Sequence, residues 1–402
     1  MSSNVEVKPG QRLPAGFSFA GVACGIKSSG KRDLSLIVMD SPGVAAGVYT
    51  QNQIVAAPVV LCRSRTPGTH IHAVVTNSGN ANACTGQQGM EDAEAMCSQV
   101  AALIGCTAED VLVMSTGVIG QVLPMNQIQQ GIAAAHAHLS PDIDAFQNAA
   151  DAICTTDDRR KIATSHFSFA GKEYQVAAMA KGAGMISPNM ATMLAVVMTD
   201  APLSELQAHQ VLQSAANRSF NRVSVDGHTS TNDTMLLLSS GQGHDLPPEA
   251  IAAFQQAIDE ISIRVAKMLV ADGEGASHVI AIHIEGASSD GDAERIARTV
   301  AASPLVKTAI TGGDPNWGRI VSAAGCAEVK IDPSSVCLSL CGTEIYRNGS
   351  PVDYDEAKLS QQMQQSKEVP VQLIVGDGPG VADFWASDLT TEYVKFNSEY
   401  TT

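Results

Sequence analysis

The sequence predicts an α/β protein of the α+β type, a layered sandwich of mixed sheets and helices. Two observations predict this class. Strand pairs with hairpin character, such as 167–169 and 174–179 around Ala-Gly-Lys, alternate with helix-length segments. Neither G-x-G-x-x-G nor G-x-x-x-x-G-K-[ST] occurs in the chain, so the usual signals of a doubly wound nucleotide-binding sheet are missing.

The elements follow in chain order from apolar alternation, helical periodicity and turn residues. Strands are predicted at 17–26, 33–39, 71–76, 110–115, 167–169, 174–179, 192–198, 234–239 and 277–284, around residue 329, and at 336–340 and 371–375. Helices are predicted at 90–104, 125–139, 140–152, 204–219, 248–270 and 292–302. Gly105 is expected to end the first helix, and Ser140 with Pro141 to begin the third as N-cap and first residue.

One segment, 286–292, has the composition of a domain boundary. Its sequence is Gly-Ala-Ser-Ser-Asp-Gly-Asp, which is rich in turn-forming residues. We therefore expect a core domain over 1–285 and a smaller C-terminal α/β domain over 286–402.

Composition excludes several classes of function. A net charge of −16 with 25 Lys and Arg argues against nucleic-acid binding, and the basic run 159–161 is most simply a solvated loop. No apolar stretch reaches the roughly 18 residues of a membrane span. Residues 1–6 lack the basic region followed by an apolar region that marks a secretory signal, so no such signal is expected. Nine cysteines without C-x-x-C, and no H-E-x-x-H, predict reduced thiols and no metal site. We expect a cytoplasmic protein without nucleic-acid or membrane partners.

The segment 181–194, Lys-Gly-Ala-Gly-Met-Ile-Ser-Pro-Asn-Met-Ala-Thr-Met-Leu, places a hydroxyl between a turn-rich loop and a buried strand. That hydroxyl belongs to Thr192. A threonine is a weak nucleophile unless it is activated, and its own α-amine does so once the preceding peptide bond is cut. Ala191 is small enough to leave that bond open to attack. A β-branched residue opening a strand is also ordinary, so the structural interpretation stays open here.

Three further groups are candidates for chemistry beside a threonine nucleophile. Thr116 lies in Met-Ser-Thr-Gly, where hydroxyl and turn N–H groups can face an oxyanion. Lys181 is suited to a substrate carboxylate or to lowering the pKa of a nearby amine. Glu274, between two glycines, is suited to a substrate amine. Each pattern also has a structural explanation. Thr116 can belong to a common Thr-Gly turn, Lys181 can be an exposed loop lysine, and the glycines around Glu274 can form a helix C-cap.

The longest motifs resemble the ornithine acetyltransferase family, also called glutamate N-acetyltransferase, of arginine biosynthesis. They are segments 181–194, 77–86 (Asn-Ser-Gly-Asn-Ala-Asn-Ala-Cys-Thr-Gly), 114–117 (Met-Ser-Thr-Gly), 154–157 (Cys-Thr-Thr-Asp) and 314–319 (Asp-Pro-Asn-Trp-Gly-Arg). They occur in the family's order, and the resemblance extends from about residue 16 to residue 402.

The resemblance implies an N-terminal-nucleophile-like αββα sandwich that cleaves itself between Ala191 and Thr192. Chains 1–191 and 192–402 would stay together as an α2β2 assembly. Thr192 would take the acetyl group of N2-acetyl-L-ornithine and pass it to L-glutamate, without a cofactor. Acetyl-CoA as a second donor is left open.

The resemblance also implies roles for individual residues. Thr116 and Gly117 would form the oxyanion hole. Substrate would be bound by Thr155, Lys181, Thr192, Glu274, Asn397 and Thr402, with Thr156 as the alternative to Thr155.

Two other functions remain open at this point. An amidohydrolase or aminopeptidase of related fold would resolve the acyl-enzyme with water instead of glutamate. A non-enzymatic acidic binding protein would never mature by cleavage.

Overall fold

A computed structural model describes residues 12–187 and 193–399, and it has the predicted α/β class: two mixed sheets, each with helices packed on it. The chain divides into two compact units. The first contains the described residues up to Asn221 together with His228–Leu269. The second contains Arg222–Gly227 and the described residues from Val270 to Glu399.

The described strands and helices follow one another in a mixed order. The strands are β1 (Phe17–Val22), β2 (Leu34–Tyr49), β3 (Gly68–Asn80), β4 (Val111–Val118), β5 (Lys161–Phe169), β6 (Lys172–Lys181), β7 (Leu194–Thr199), β8 (Val223–Ser224), β9 (Thr234–Ser239), β10 (Val279–Ala287), β11 (Cys337–Leu340), β12 (Thr343–Arg347), β13 (Ser350–Pro351), β14 (Glu368–Ile374) and β15 (Gly380–Ser387). The helices are α1 (Ala57–Arg65), α2 (Gly86–Ile104), α3 (Met125–Ala137), α4 (Ile143–Ile153), α5 (Glu205–Arg218), α6 (Pro248–Ala271), α7 (Asp290–Ala302), α8 (Pro304–Gly312), α9 (Trp317–Gly325), α10 (Glu356–Gln365) and α11 (Thr391–Glu399).

The first unit is built on a sheet with the order β4-β3-β2-β9-β7-β6-β5, with β1 paired to β2. The β3–β4 and β7–β9 pairs are parallel, and the other pairs are antiparallel. Helices α3 and α4 pack on β1 and β2, and α5 packs on β2 and β9. The apolar residues of these strands are almost all buried, as expected for strands that are covered by helices. This core fixes the strand ends that carry the site.

The second unit is built on a sheet with the order β13-β12-β11-β14-β10-β15-β8. Strand β10 lies between β14 and β15, parallel to β14 and antiparallel to β15. Helix α7 packs on β10 and β15, and alternate residues of β14 are buried while those between them are exposed. Such alternation is typical of a sheet with one face on the core.

The division into units differs from the predicted boundary at residue 285, which falls inside β10. The turn-forming residues from Gly286 onwards indicate a domain boundary, but in the structure Gly286 lies at a register shift within β10, between Glu285 and Ala287. It has a φ of +79°, and a Cβ on it would lie 2.1 Å from the carbonyl oxygen of Gly376. The glycine is therefore required by a close backbone approach rather than by a linker.

Two other sequence predictions are wrong for local reasons. Ser140 does not begin the third helix; α4 starts at Ile143 with Asp142 at the N-cap, and Ser140 instead forms a bridge with Phe19. No strand forms around residue 329, where Glu328 has a φ of +55° that strands do not adopt.

Within residues 12–187 and 193–399, no helix is both long and apolar enough to cross a membrane. The nine cysteines all lie in this part of the chain and are free thiols.

Candidate active site

The first part of the site is a close approach of two backbones at the ends of β3 and β4. Gly117 has a φ of +133°, and a Cβ on it would lie 2.3 Å from the carbonyl carbon of Gly79. The parallel pairing shifts register there, with Asn80 opposite both Thr116 and Val118. A side chain at position 117 would displace this end of β4, because backbone atoms of Gly79 and Asn80 occupy the space that the side chain would need.

Thr116 and Lys181 meet beside this turn. Both side chains are buried, and the Nζ of Lys181 donates a hydrogen bond to the Oγ1 of Thr116 at 3.2 Å. An ammonium group can only donate, so the hydroxyl of Thr116 is the acceptor and its own proton points to another acceptor. The pair therefore presents one hydroxyl donor next to a positive charge.

The contact requires a strongly curved sheet. Thr116 lies in β4 and Lys181 ends β6, and four strands stand between β4 and β6 in the sheet order. Flat strands about 4.8 Å apart would separate β4 and β6 by roughly 24 Å. The register between β2 and β3 shifts between Val38 and Ala45, and such irregularities increase the twist and bend of a sheet.

Asp157 joins the predicted substrate segment around Thr155 to the end of β6. Its Oδ2 accepts the N–H of Thr155 at 2.9 Å, and its Oδ1 accepts the N–H of Gly182 at 2.7 Å and a hydrogen bond from Lys161. Burial alone would raise the pKa of Asp157, but the ammonium groups of Lys161 and Lys181 hold it well below its usual range. Asp157 is therefore a carboxylate, and it fixes Thr155 relative to Lys181.

Lys161 corrects a sequence interpretation. The basic run 159–161 was expected to be a solvated loop, but Lys161 begins β5 and its side chain is buried with that of Asp157. A buried lysine is tolerated because a buried carboxylate neutralises it. Charge pattern in the sequence does not reveal this pairing, because residues four apart outside a helix have no fixed relation.

The start of β7, which directly follows the proposed nucleophile in sequence, is held by Asp233. The N–H of Met193 donates to Oδ1 of Asp233 at 3.2 Å, and the N–H of Ser230 donates to Oδ2 at 3.2 Å. In return, the N–H of Thr234 donates to the carbonyl of Met193 at 3.0 Å. Burial raises the pKa of Asp233 well above its usual value, although these donors oppose the shift.

A polar network lies behind these groups and connects the 230–233 loop to β4. The amide of Asn232 donates to the carbonyl of Ser115 at 2.9 Å, and the hydroxyl of Ser115 donates to the carbonyl of Asn80 at 3.1 Å. The N–H of Asn82 returns a bond to the hydroxyl of Ser115 at 2.8 Å. Ser115 of β4 therefore links the segment 80–82 to the 230–233 loop through hydrogen bonds.

In the second unit, Glu274 and Asn397 are neighbours. Glu274 follows α6, and the Nδ2 of Asn397, on α11, donates to its Oε2 at 3.1 Å. Gly275 makes this possible, since a Cβ there would lie 2.4 Å from the backbone nitrogen of Tyr393. Burial raises the pKa of Tyr393 to about 12, and Glu274 and Asp226 add to the shift. The terminal helix carrying Asn397 is therefore held against the 274–275 turn.

The structure thus groups Thr116, Gly117, Thr155 and Lys181 in one unit, and Glu274 with Asn397 in the other. Ala191, Thr192 and Thr402 lie outside the described residues. Asp157 and Asp233 were missed as site residues, although Asp157 lies in the motif 154–157. Among the described residues, no group of three or more His, Cys, Asp or Glu is placed to hold a metal ion.

Comparison with known proteins gives one family. Residues 18–402 match the ArgJ family. The chain is 56% identical over 395 residues to the arginine biosynthesis bifunctional protein ArgJ of Rhodopirellula baltica, covering 97% of this chain and 96% of the relative. It is 45% identical over 399 residues to the Symbiobacterium thermophilum protein of that name, covering 98% of both.

A solved structure agrees with these relatives. The crystal structure of the arginine biosynthesis bifunctional protein ArgJ of Bacillus halodurans is 32% identical, with a TM-score of 0.50 over 51% of this chain and 98% of that chain. The resemblance inferred from the motifs is confirmed, and this chain belongs to the ArgJ family of arginine-biosynthesis enzymes.

Proposed function

We propose that this enzyme cleaves itself and then moves the acetyl group of N2-acetyl-L-ornithine to L-glutamate through an acetyl ester on Thr192. One observation carries the proposal: the hydroxyl of Thr116 accepts from Lys181, so its proton is left to stabilise a developing oxyanion. Membership of a family whose relatives are named for arginine biosynthesis supports the choice of substrates.

In the first half-reaction, the Oγ1 of Thr192 attacks the acetyl carbonyl carbon of acetylornithine. Its proton passes to the α-amine of Thr192, a base whose usual pKa is about 7.7–8.0. The hydroxyl of Thr116 and the N–H of Gly117 donate to the oxyanion. The carbon–nitrogen bond then breaks, the leaving nitrogen takes the proton, and ornithine departs.

In the second half-reaction, the neutral α-amine of glutamate attacks the ester carbon of acetyl-Thr192. The same oxyanion donors act again. The ester carbon–oxygen bond breaks, the Oγ1 of Thr192 recovers a proton from the attacking nitrogen through the α-amine, and N-acetylglutamate leaves. One acetyl group is transferred per cycle, with ping-pong kinetics.

The binding groups suit amino-acid substrates, which carry a carboxylate and an amine. We assign the α-carboxylate to Lys181 and the Thr155 segment, with the hydroxyl of Thr155 or Thr156 as a further donor. Glu274 is assigned as an acceptor for substrate ammonium groups, and Asn397 and Thr402 are assigned as further substrate-binding residues. Asn397 orients the Glu274 carboxylate through the hydrogen bond between their side chains.

Maturation and assembly complete the proposal. Cleavage between Ala191 and Thr192 frees the α-amine that the chemistry needs, and the chains 1–191 and 192–402 remain together as α2β2. The relatives are named bifunctional, and we assign the second activity to acetyl-CoA as an alternative acetyl donor. Acetylglutamate formation from acetyl-CoA and glutamate alone tests that assignment.

Thr192→Ala is expected to abolish both self-cleavage and acetyl transfer, because it removes the nucleophile of both reactions. Denaturing gels report cleavage, and ornithine and acetylglutamate are quantified with acetylornithine in the presence and absence of glutamate. Thr69→Ala, at an exposed position, is the control. Glutamate-independent ornithine release without acetylglutamate would establish the amidohydrolase alternative, and an active full-length chain would refute the cleavage.

Gly117→Ala is expected to lower kcat for transfer by about 100-fold or more, since its Cβ displaces the turn that carries an oxyanion donor. Gly120→Asn is the matched control: Gly120 also has a positive φ, but nothing lies within 4 Å of its Cβ position. Equal effects of the two substitutions on kcat would contradict the role of Gly117.

Asp233→Asn is expected to slow self-cleavage about tenfold, because an amide in place of the carboxyl leaves Met193 or Ser230 without its acceptor. Time courses of cleavage after refolding measure the effect, and melting temperatures separate it from a loss of folding. Asp245→Asn, at an exposed carboxylate, is the control. A normal cleavage rate in Asp233→Asn would show that holding Met193 does not matter.

A further inference from the structure

Lys27 is a half-buried lysine to which the proposed reaction assigns no role. Its Nζ donates to the carbonyl of Cys154 at 2.6 Å and to the carbonyl of Arg32 at 2.6 Å. Its stem packs against Gly79, whose Cβ position lies 2.8 Å from the Cγ of Lys27. Gly79 also lies against Gly117. The Lys27 side chain therefore contacts both the backbone next to the proposed oxyanion donor and Cys154, the residue that precedes Thr155.

The position of Lys27 is fixed by Asp33. Four successive backbone N–H groups, at residues 24–27, donate to the buried carboxylate of Asp33 at distances of 2.7–3.1 Å. These bonds turn the chain out of β1 and direct Lys27 towards the site. The predicted strand 17–26 stops at Val22 for the same reason, because its last N–H groups bind a carboxylate instead of a strand.

The charges around the Thr155 segment do not cancel. The buried or half-buried ionisable side chains that interact there include Lys27, Lys161, Lys181, Asp33 and Asp157, while Arg160 and Asp151 form an ion pair with each other. Among the first five, three ammonium groups face two carboxylates, which leaves one positive charge. A partly buried excess charge is costly unless an anion joins it, so the cluster is suited to a monoanionic group such as one carboxylate.

Neighbouring groups support a charged Lys27. Burial lowers the pKa of Lys27, and Lys181 adds to that shift, while Cys154, Asp33 and Asp157 oppose it only in part. An ammonium has three donors. Two of them go to the carbonyls of Arg32 and Cys154, and within the described residues no acceptor is recorded for the third.

We propose that Lys27 is a positioning residue that determines specificity for the substrate α-carboxylate. It holds the Thr155 segment against the oxyanion turn and supplies the positive charge that the carboxylate neutralises beside Lys181. This inference rests on the proposed acetyl transfer, because it assigns the carboxylate subsite of that same reaction. It adds a third contributor to a subsite otherwise made of Lys181 and Thr155.

Lys27→Met tests the charge while keeping the stem that packs on Gly79. It is expected to raise KM for acetylornithine and for glutamate about tenfold, with kcat changed far less. With N2-acetyl-L-ornithine amide, which lacks the α-carboxylate charge, wild type and Lys27→Met should have the same KM. Lys31→Met, at an exposed lysine of the same loop, is the control and should match wild type.

Three outcomes overturn the inference: an unchanged KM for the carboxylate substrates, an equal rise for the acid and the amide, or an equal effect in Lys31→Met. If Lys27→Met does not fold, Lys27→Arg and Lys27→Gln repeat the comparison, and only Arg should keep the preference for the acid over the amide. Failure of the proposed function is distinct, since wild type itself would then transfer no acetyl group to glutamate.

Discussion

The hydrogen bond from Lys181 to Thr116 is the interaction on which the rest of the site depends. It joins residues that a flat sheet would hold far apart, so it exists only because the first sheet curves. It also determines the role of the Thr116 hydroxyl. An ammonium group cannot accept a hydrogen bond, so the hydroxyl accepts from Lys181 and its own proton is available to a further acceptor. The close backbone approach at Gly117 fixes the turn that presents this donor.

Two buried carboxyls beside this contact illustrate how surroundings set charge. Burial disfavours the ionised form of both carboxyls. The pKa of Asp157 nevertheless falls, because two lysines stabilise its charge. The pKa of Asp233 rises, because only N–H and O–H donors contact it. Asp157 is therefore a fixed anion that organises Lys161 and the Thr155 segment. Asp233 instead holds the backbone at Met193, the second residue of the proposed chain 192–402.

Much of the fold was predictable from local chemistry. Gly105 ends α2 in the left-handed conformation as expected, and β9 and the β5–β6 hairpin formed where patterning indicated. The motifs singled out Thr116 and Lys181, which the structure brings into hydrogen-bond contact, but their roles in the reaction stay predictions. Helices α8 and α9 were not predicted, although each follows an N-cap residue whose side chain accepts a hydrogen bond from the first turn, Ser303 for α8 and Asn316 for α9.

What sequence reasoning missed has a common physical cause. The surroundings of Asp157, Asp233 and Lys27 depend on burial and on contacts between segments that are distant in sequence. A local sequence pattern encodes neither burial nor such contacts. Gly286 shows the converse error, since a glycine required by a bulge in β10 has the same sequence signature as a linker glycine. Long-range pairing decides both cases, and only the folded chain reveals it.

The most direct test of the account is to trap the acetyl-enzyme. The mature protein is incubated with acetylornithine in the absence of glutamate, quenched in acid, and its two chains are weighed by intact mass spectrometry. The account predicts one added acetyl group on the chain beginning at Thr192, located at that residue as an ester and discharged when glutamate is supplied. An unmodified chain during turnover, or an acetyl group at another residue, would contradict it.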